Sequence, residues 1–198
     1  FLEILEVKRI LFLNDWGSNP NERIFYIADY FYGLKYNVTV AGRYYKDIPK
    51  RDYFFPVYGK DTRLTRLIRN YIRFKLLLIG MKLFLTQKPS YLYIRSDYFA
   101  FYFGLLTFLT KTKLIYETHG MTYKELTYSN ASKLKIIIRK NIEYLIIKYL
   151  ADAIVVNSDG TKDTLLNDYN KTNNVYCIPN GINPDIIDSM KEKTNKII

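Results

Sequence analysis

Short apolar runs rich in β-branched and aromatic residues alternate along the chain with longer stretches whose apolar residues recur every three or four positions. Residues 8–13 (KRILFL) predict a first strand, and the polar run 14–23 (NDWGSNPNER) predicts a loop. Residues 24–35 have helical periodicity with Gly33 near the end, and residues 37–41 (NVTVA) read as a second strand. Residues 42–61 are a mixed connection in which 53–58 add a short strand. A long helix is expected over 62–85, with Pro89 marking its end.

The alternation continues to the far end. Residues 91–94 predict a strand, 97–110 a helix, 113–117 a strand, 118–131 a loop and 132–150 a second long helix. Residues 153–157 (AIVVN) predict a strand, Ser158 can cap a helix running to Tyr169, and 175–178 predict the last strand before the turn Pro179-Asn180-Gly181. Strands alternating with helices of this length imply an α/β domain, Rossmann-like, with a doubly wound parallel sheet. Ligands of such sheets sit at the carboxyl ends of the strands. That rule selects residues 14–19, Arg95 and Ser96, Glu117 to Gly120, and 157–160.

Composition narrows the class. With 198 residues, 48% hydrophobic and 25% charged, the chain can fill one core and is not a disordered segment. It has 20 Tyr and 12 Phe, and because a tyrosine packs its ring while its hydroxyl seeks a polar partner, many of these rings are expected at core edges or interfaces. Thirty Lys+Arg against 19 Asp+Glu give a net charge of +11, which favours anionic partners: nucleic acid, phospholipid headgroups or phosphorylated substrates. The single cysteine, Cys177, excludes an intrachain disulfide and fits a reducing compartment. The start FLEILEVKR has no basic region ahead of its apolar stretch, so a secretory signal is not expected. The longest uncharged run, 98–110, is shorter than the roughly 20 residues a membrane-spanning helix takes. One His and one Cys leave no soft-metal ligand set, and no metal site is expected. Phosphate-binding glycine loops of the Walker and GxGxxG types are absent.

The order of motifs in the second half is the most specific signal. The run IVVNSDGTKDTLLNDY, followed by NNVYCIPNGINPD, resembles the end of the N-terminal domain in family 4 of the retaining glycosyltransferases, which have the two-lobed GT-B fold. LIYETHG (114–120) resembles the strand that delivers a histidine into the cleft of that family, and YLYIRS (91–96) and the first strand also fit. The resemblance implies that residues 1–183 are the acceptor-side domain and 184–198 the start of an interdomain linker. It implies a C-terminal domain, outside this chain, that holds a nucleotide-diphosphate sugar as donor. This domain itself is expected to bind no cofactor. The acceptor would be a glycan or a lipid-linked intermediate.

Candidate residues follow. His119 is implied as the catalytic-site residue that contacts the donor sugar near the reaction centre; an imidazole can hydrogen-bond a hydroxyl without carrying full charge. Arg95 and Ser96 end a strand at the same edge, where the guanidinium clamps a phosphate or carboxylate, or else pairs with Asp97 or Glu117. Glu117 and Gly120 flank His119, with Glu117 open between a structural and a binding role. In the first loop the family usually has a Gly-Gly pair, whereas Asp15, Trp16, Gly17 and Ser18 supply one glycine and an indole suited to stacking on a sugar or lipid-like acceptor.

The helix 62–85 carries Arg63, Arg66, Arg69 and Arg73 within an arc of roughly 120°. That face is either solvated or docked on anionic lipid, which would make a cytoplasmic protein peripheral on the membrane. Two rivals stand beside the transferase reading: a nucleotide-sugar 2-epimerase of the same fold, and a non-catalytic nucleic-acid-binding domain motivated by charge alone. Nucleic acid is the less expected partner.

Overall fold

A computed structural model describes residues 8–14, 22–44, 51–58, 66–171 and 173–179. Seven strands form one sheet: β1 (Arg9–Asn14), β2 (Asn37–Tyr44), β3 (Phe54–Tyr58), β4 (Tyr91–Ile94), β5 (Lys113–Thr118), β6 (Ala153–Val156) and β7 (Val175–Cys177). Their order is β3-β2-β1-β4-β5-β6-β7 and every pairing is parallel. The helices are α1 (Glu22–Gly33), α2 (Arg66–Gln87), α3 (Asp97–Thr107), α4 (Thr122–Tyr128), α5 (Lys133–Leu145) and α6 (Asp159–Tyr169), with a π-helical turn at Ile146–Leu150 continuing α5. This is the Rossmann-like α/β architecture expected from the alternation of runs.

Both faces of the sheet are covered, which is why its strands read as continuous apolar runs. Ile10, Phe12, Val38 and Val40 point to one side and pack with Ile24, Phe25 and Ala28 of α1. Leu11, Leu13, Leu92, Ile94 and Leu114 point to the other, against Ile72, Leu76 and Phe84 of α2 and Phe99 and Phe103 of α3. That second layer is closely fitted. A Cβ on Gly104 would stand 2.9 Å from Cβ of Leu150, so α3 and the π turn meet almost backbone to backbone.

The chain passes from β1 to β2 in one direction and returns past β1 to β4, placing the switch in strand order between β1 and β4. Crevices of this kind open at the strands' carboxyl ends. Two expectations need correction. The segment 118–131 is not all loop: Thr122–Tyr128 forms α4, whose first N–H groups are accepted by Glu143 from α5. β2 also runs three residues past Ala41, pairing Gly42, Arg43 and Tyr44 with Pro56, Val57 and Tyr58 of β3. Ser158 does cap α6, its Oγ accepting from the Thr161 N–H at 3.2 Å. The first loop with Asp15, Trp16, Gly17 and Ser18, the turn at Asn180-Gly181, Arg63 and the linker 184–198 lie outside the described residues.

Candidate active site at the carboxyl edge of the sheet

β5 ends at Thr118, and the alternation of the strand turns Glu117 toward the α1 side of the sheet. Its carboxylate is 1% exposed and has three partners. Oε2 accepts from the Tyr93 hydroxyl of β4 at 2.7 Å. Oε1 meets Nε2 of His119 at 2.7 Å and Nε of Arg23, in the first turn of α1, at 3.1 Å. Burial opposes ionisation here, but the bonds from His119 and Tyr93 and the charges of Arg23 and Arg95 outweigh it and hold the carboxyl below its usual value.

His119 leaves the strand and closes the network. Its Nδ1 lies 2.8 Å from Nη2 of Arg95, the residue just after β4. A guanidinium only donates, so Nδ1 accepts and the ring proton sits on Nε2, facing Glu117. Arg95 is 8% exposed, and burial pulls its guanidinium below its usual value against the attraction of Glu117. Arg23 also donates from Nη2 to the carbonyl of Ile178, just past β7, at 2.9 Å. One chain of polar contacts thus links α1, β4, β5 and the end of β7 across the sheet's carboxyl edge. Among the described residues of this edge two guanidinium groups accompany one buried carboxylate, an excess of positive charge that suits polar or anionic ligands.

Behind this network a second cluster fixes the loop that follows His119. Asp97, at the start of α3, accepts from the Tyr116 hydroxyl at 2.9 Å, from the Thr122 hydroxyl at 2.8 Å and from Arg139 at 3.1 Å. Arg139 lies over the Tyr98 ring at 3.6 Å. Glu143 accepts from the Thr122 N–H at 2.5 Å. Burial first, and then Asp97 nearby, push the Glu143 carboxyl up to about 7, against the lowering effect of the Thr122 and Tyr123 bonds.

A family model for Glycosyltransferase Family 4 matches residues 21–186. The chain belongs to this family. Among solved structures it is similar to sucrose-phosphate synthase from Thermosynechococcus elongatus, at 13% identity and a TM-score of 0.66, over 94% of this chain and 52% of that one. It is similar also to HepE of Anabaena in complex with UDP and glucose, at 13% identity and a TM-score of 0.55, over 95% of this chain and 50% of that one. The chain therefore spans about half the length of these structures, whose likeness establishes a shared fold. A search of curated protein sequences gives no significant match.

In this family 4 domain, three of the residues chosen from sequence converge: Arg95, Glu117 and His119. Arg95 was expected to clamp a ligand or to pair with Asp97 or Glu117; its guanidinium bonds His119, which in turn meets Glu117, and Asp97 is held by Arg139. Ser96 stands at the N-cap of α3 with its carbonyl accepting from Ala100. Gly120 is held by Thr118, whose hydroxyl donates to its carbonyl at 2.7 Å. A Cβ there would meet only ordinary contact with Glu125 at 3.6 Å, so nothing in the backbone demands glycine. Arg23 and Tyr93 were missed. Tyr93 could have been found from strand alternation, because residues 93 and 117 sit on neighbouring strands and face the same side.

Proposed function

We propose that this chain is the acceptor-side half of a retaining glycosyltransferase that moves a sugar from a nucleotide-diphosphate donor to a glycan or lipid-linked acceptor. The observation that carries the reading is the Arg95–His119–Glu117–Arg23 network at the carboxyl edge, within a domain of family 4. HepE, of the same fold, is seen with UDP and glucose. In such a transfer the acceptor oxygen bonds to the anomeric carbon on the face the diphosphate leaves. The bond from that carbon to the diphosphate oxygen breaks with its electron pair, and the acceptor proton passes to the departing diphosphate.

In this reading Arg23, Arg95, Glu117 and His119 bind and orient the sugar. Both ring nitrogens of His119 are engaged, so a sugar hydroxyl reaches Nδ1 by taking the place of the Arg95 donor. The displaced guanidinium then remains beside the ligand as a cation for phosphate or hydroxyl oxygen. Glu117 holds the Nε2 proton and so keeps Nδ1 an acceptor.

The test is transfer by the whole enzyme from a panel of UDP- and GDP-sugars, with the product's anomeric configuration read by NMR. Transfer with retention is expected. An inverted product overturns the mechanism, and epimerised sugar released without any acceptor favours the 2-epimerase reading instead.

A further inference from the structure

The helices covering the sheet opposite α1 are apolar on their outer side as well as their inner side. On α2 the buried line is Ile72, Leu76 and Leu83. Leu67, Tyr71, Phe74 and Leu78 form a second line at i, i+4, i+7 and i+11, and all are exposed, Leu67 by 81%. α3, next to it through the Phe84–Phe103 ring contact, repeats the pattern with Tyr98, Tyr102, Leu105 and, just past its end, Leu109 at 83%. α5 and its π turn repeat it again with Leu134, Ile138, Leu145 and Tyr149. A helix apolar all round is ordinarily buried all round. Three such lines side by side exceed the scattered exposed side chains that any surface carries.

The exposed charges described on these helices are of one sign. Arg73, Lys75 and Lys82 of α2 and Lys133, Lys135 and Lys140 of α5 are exposed. α2 has no acidic residue. Asp97 of α3 is held by Arg139, Tyr116 and Thr122, and Glu143 of α5 is buried under α4. Whatever covers this layer must accept apolar side chains over an area as long as α2, about 33 Å for its 22 residues, and carry negative charge at its margin.

We propose that this helical layer is a docking face for an anionic lipid bilayer surface. Leucine and phenylalanine enter the acyl boundary, tyrosine hydroxyls stay at headgroup level, and lysine stems lie along the surface with their ammonium groups at phosphate. Among the described residues no helix is long and apolar enough to cross a membrane, and the docking proposed is peripheral, reaching no deeper than the acyl boundary. The exposed line on α2 lies about 130° round the helix from Arg73, the described member of the arc of Arg63, Arg66, Arg69 and Arg73 that the sequence singled out. Docking thus rests on the outward apolar lines of three helices, with lysines beside them, more than on that arginine arc. Such docking does not depend on sugar transfer.

The test is co-sedimentation of the 198-residue chain with vesicles of phosphatidylcholine alone or mixed equally with phosphatidylglycerol. Partition onto the mixed vesicles should exceed that onto neutral ones at least tenfold at low salt. It should fall toward the neutral level near 1 M salt, where the Debye length is about 3 Å. Phe74→Gln, Leu105→Gln and Ile138→Gln combined, one exposed position per helix, should lower partition at least tenfold while leaving the melting temperature within a few degrees. Lys75, Lys82, Lys135 and Lys140 changed to Gln should abolish the preference for anionic vesicles. Equal pelleting of wild type and both variants overturns the proposal, as does a wild type that pellets with neither vesicle. A wild-type dimer in solution that the apolar triple variant turns into a monomer, without vesicle binding, overturns it too and assigns the face to a second copy of the chain.

Discussion

Nδ1 of His119 accepts a hydrogen bond from Arg95 at 2.8 Å while Nε2 faces the Glu117 carboxylate at 2.7 Å. The two contacts select one tautomer, with its proton on Nε2. Since the chain has one histidine, its ring nitrogens give an NMR spectrum that needs no assignment by mutation. A protonated Nε2 and a bare Nδ1 are expected in the wild type, and mixed tautomers in Arg95→Met. A wild-type ring protonated on Nδ1 would remove the Arg95 contact. In the whole enzyme His119→Ala should lower turnover at least tenfold, about 1.4 kcal/mol of barrier. Unchanged initial rates would take His119 out of the site.

Glu143 makes stability depend on pH in an unusual direction. Its carboxyl is raised from an ordinary 4.5 to about 7, so between these values the folded chain binds the proton and the unfolded chain releases it. Its contribution is full below the ordinary value and is lost as pH rises through about 7, worth up to about 3 kcal/mol. Glu117 acts in the opposite sense: its stabilisation is present above the ordinary carboxylate range and is lost in acid. Glu143→Gln keeps an oxygen for the Thr122 N–H and should flatten the fall in melting temperature between pH 5 and about 8. A variant whose melting curve tracks the wild type across that range would show that Glu143 titrates normally.

Two glycines should respond to alanine with opposite signs. At Gly104 the new methyl would come to 2.9 Å from Leu150 Cβ and 3.2 Å from Leu114 Cδ2. Overpacking of about 1–3 kcal/mol then outweighs a helix-propensity gain of about 1 kcal/mol, for a net loss. At Gly160, in the first turn of α6, a methyl group would find no neighbouring atom within 4 Å, and alanine should stabilise by about 0.5–1 kcal/mol. Denaturant midpoints of the two variants check the pair.

The isolated chain should not hold the donor tightly. Calorimetry of residues 1–198 with UDP- or GDP-sugars should give no submicromolar binding, because the proposed function places diphosphate recognition mainly in a second domain. A submicromolar affinity would move the phosphates onto Arg95 and Arg23 and reverse the division of roles.

The inner strands were legible because each is a short apolar run buried on both faces, and Ser158 was legible because its cap closes within three residues. α4 was hidden for a physical reason. TYKELTY has no buried residue and no side-chain cap of its own, and its N-terminus is satisfied by Glu143, some twenty positions later in the chain. Arg23 was hidden in the same way: it reads as the last residue of a polar loop, while its partners are Glu117 and the carbonyl of Ile178. Arg95, Glu117 and His119 were found because each lies at or just past the carboxyl end of a strand, where chain order and the parallel sheet together predict convergence.

The strand order also sets a sequence of events during synthesis. β1, β2 and β3 can pair once residue 58 has emerged, but the other edge of β1 is filled only by β4, from residue 91. Until then Ile10–Leu13, all nearly fully buried in the finished sheet, belong to an open edge with bare N–H and C=O groups. α2 is made in that interval and lands on the same half-sheet, so it shields the face while the edge waits. A nascent chain stalled before residue 94 carries an uncapped central strand, and such products are natural clients for chaperones that recognise extended apolar segments.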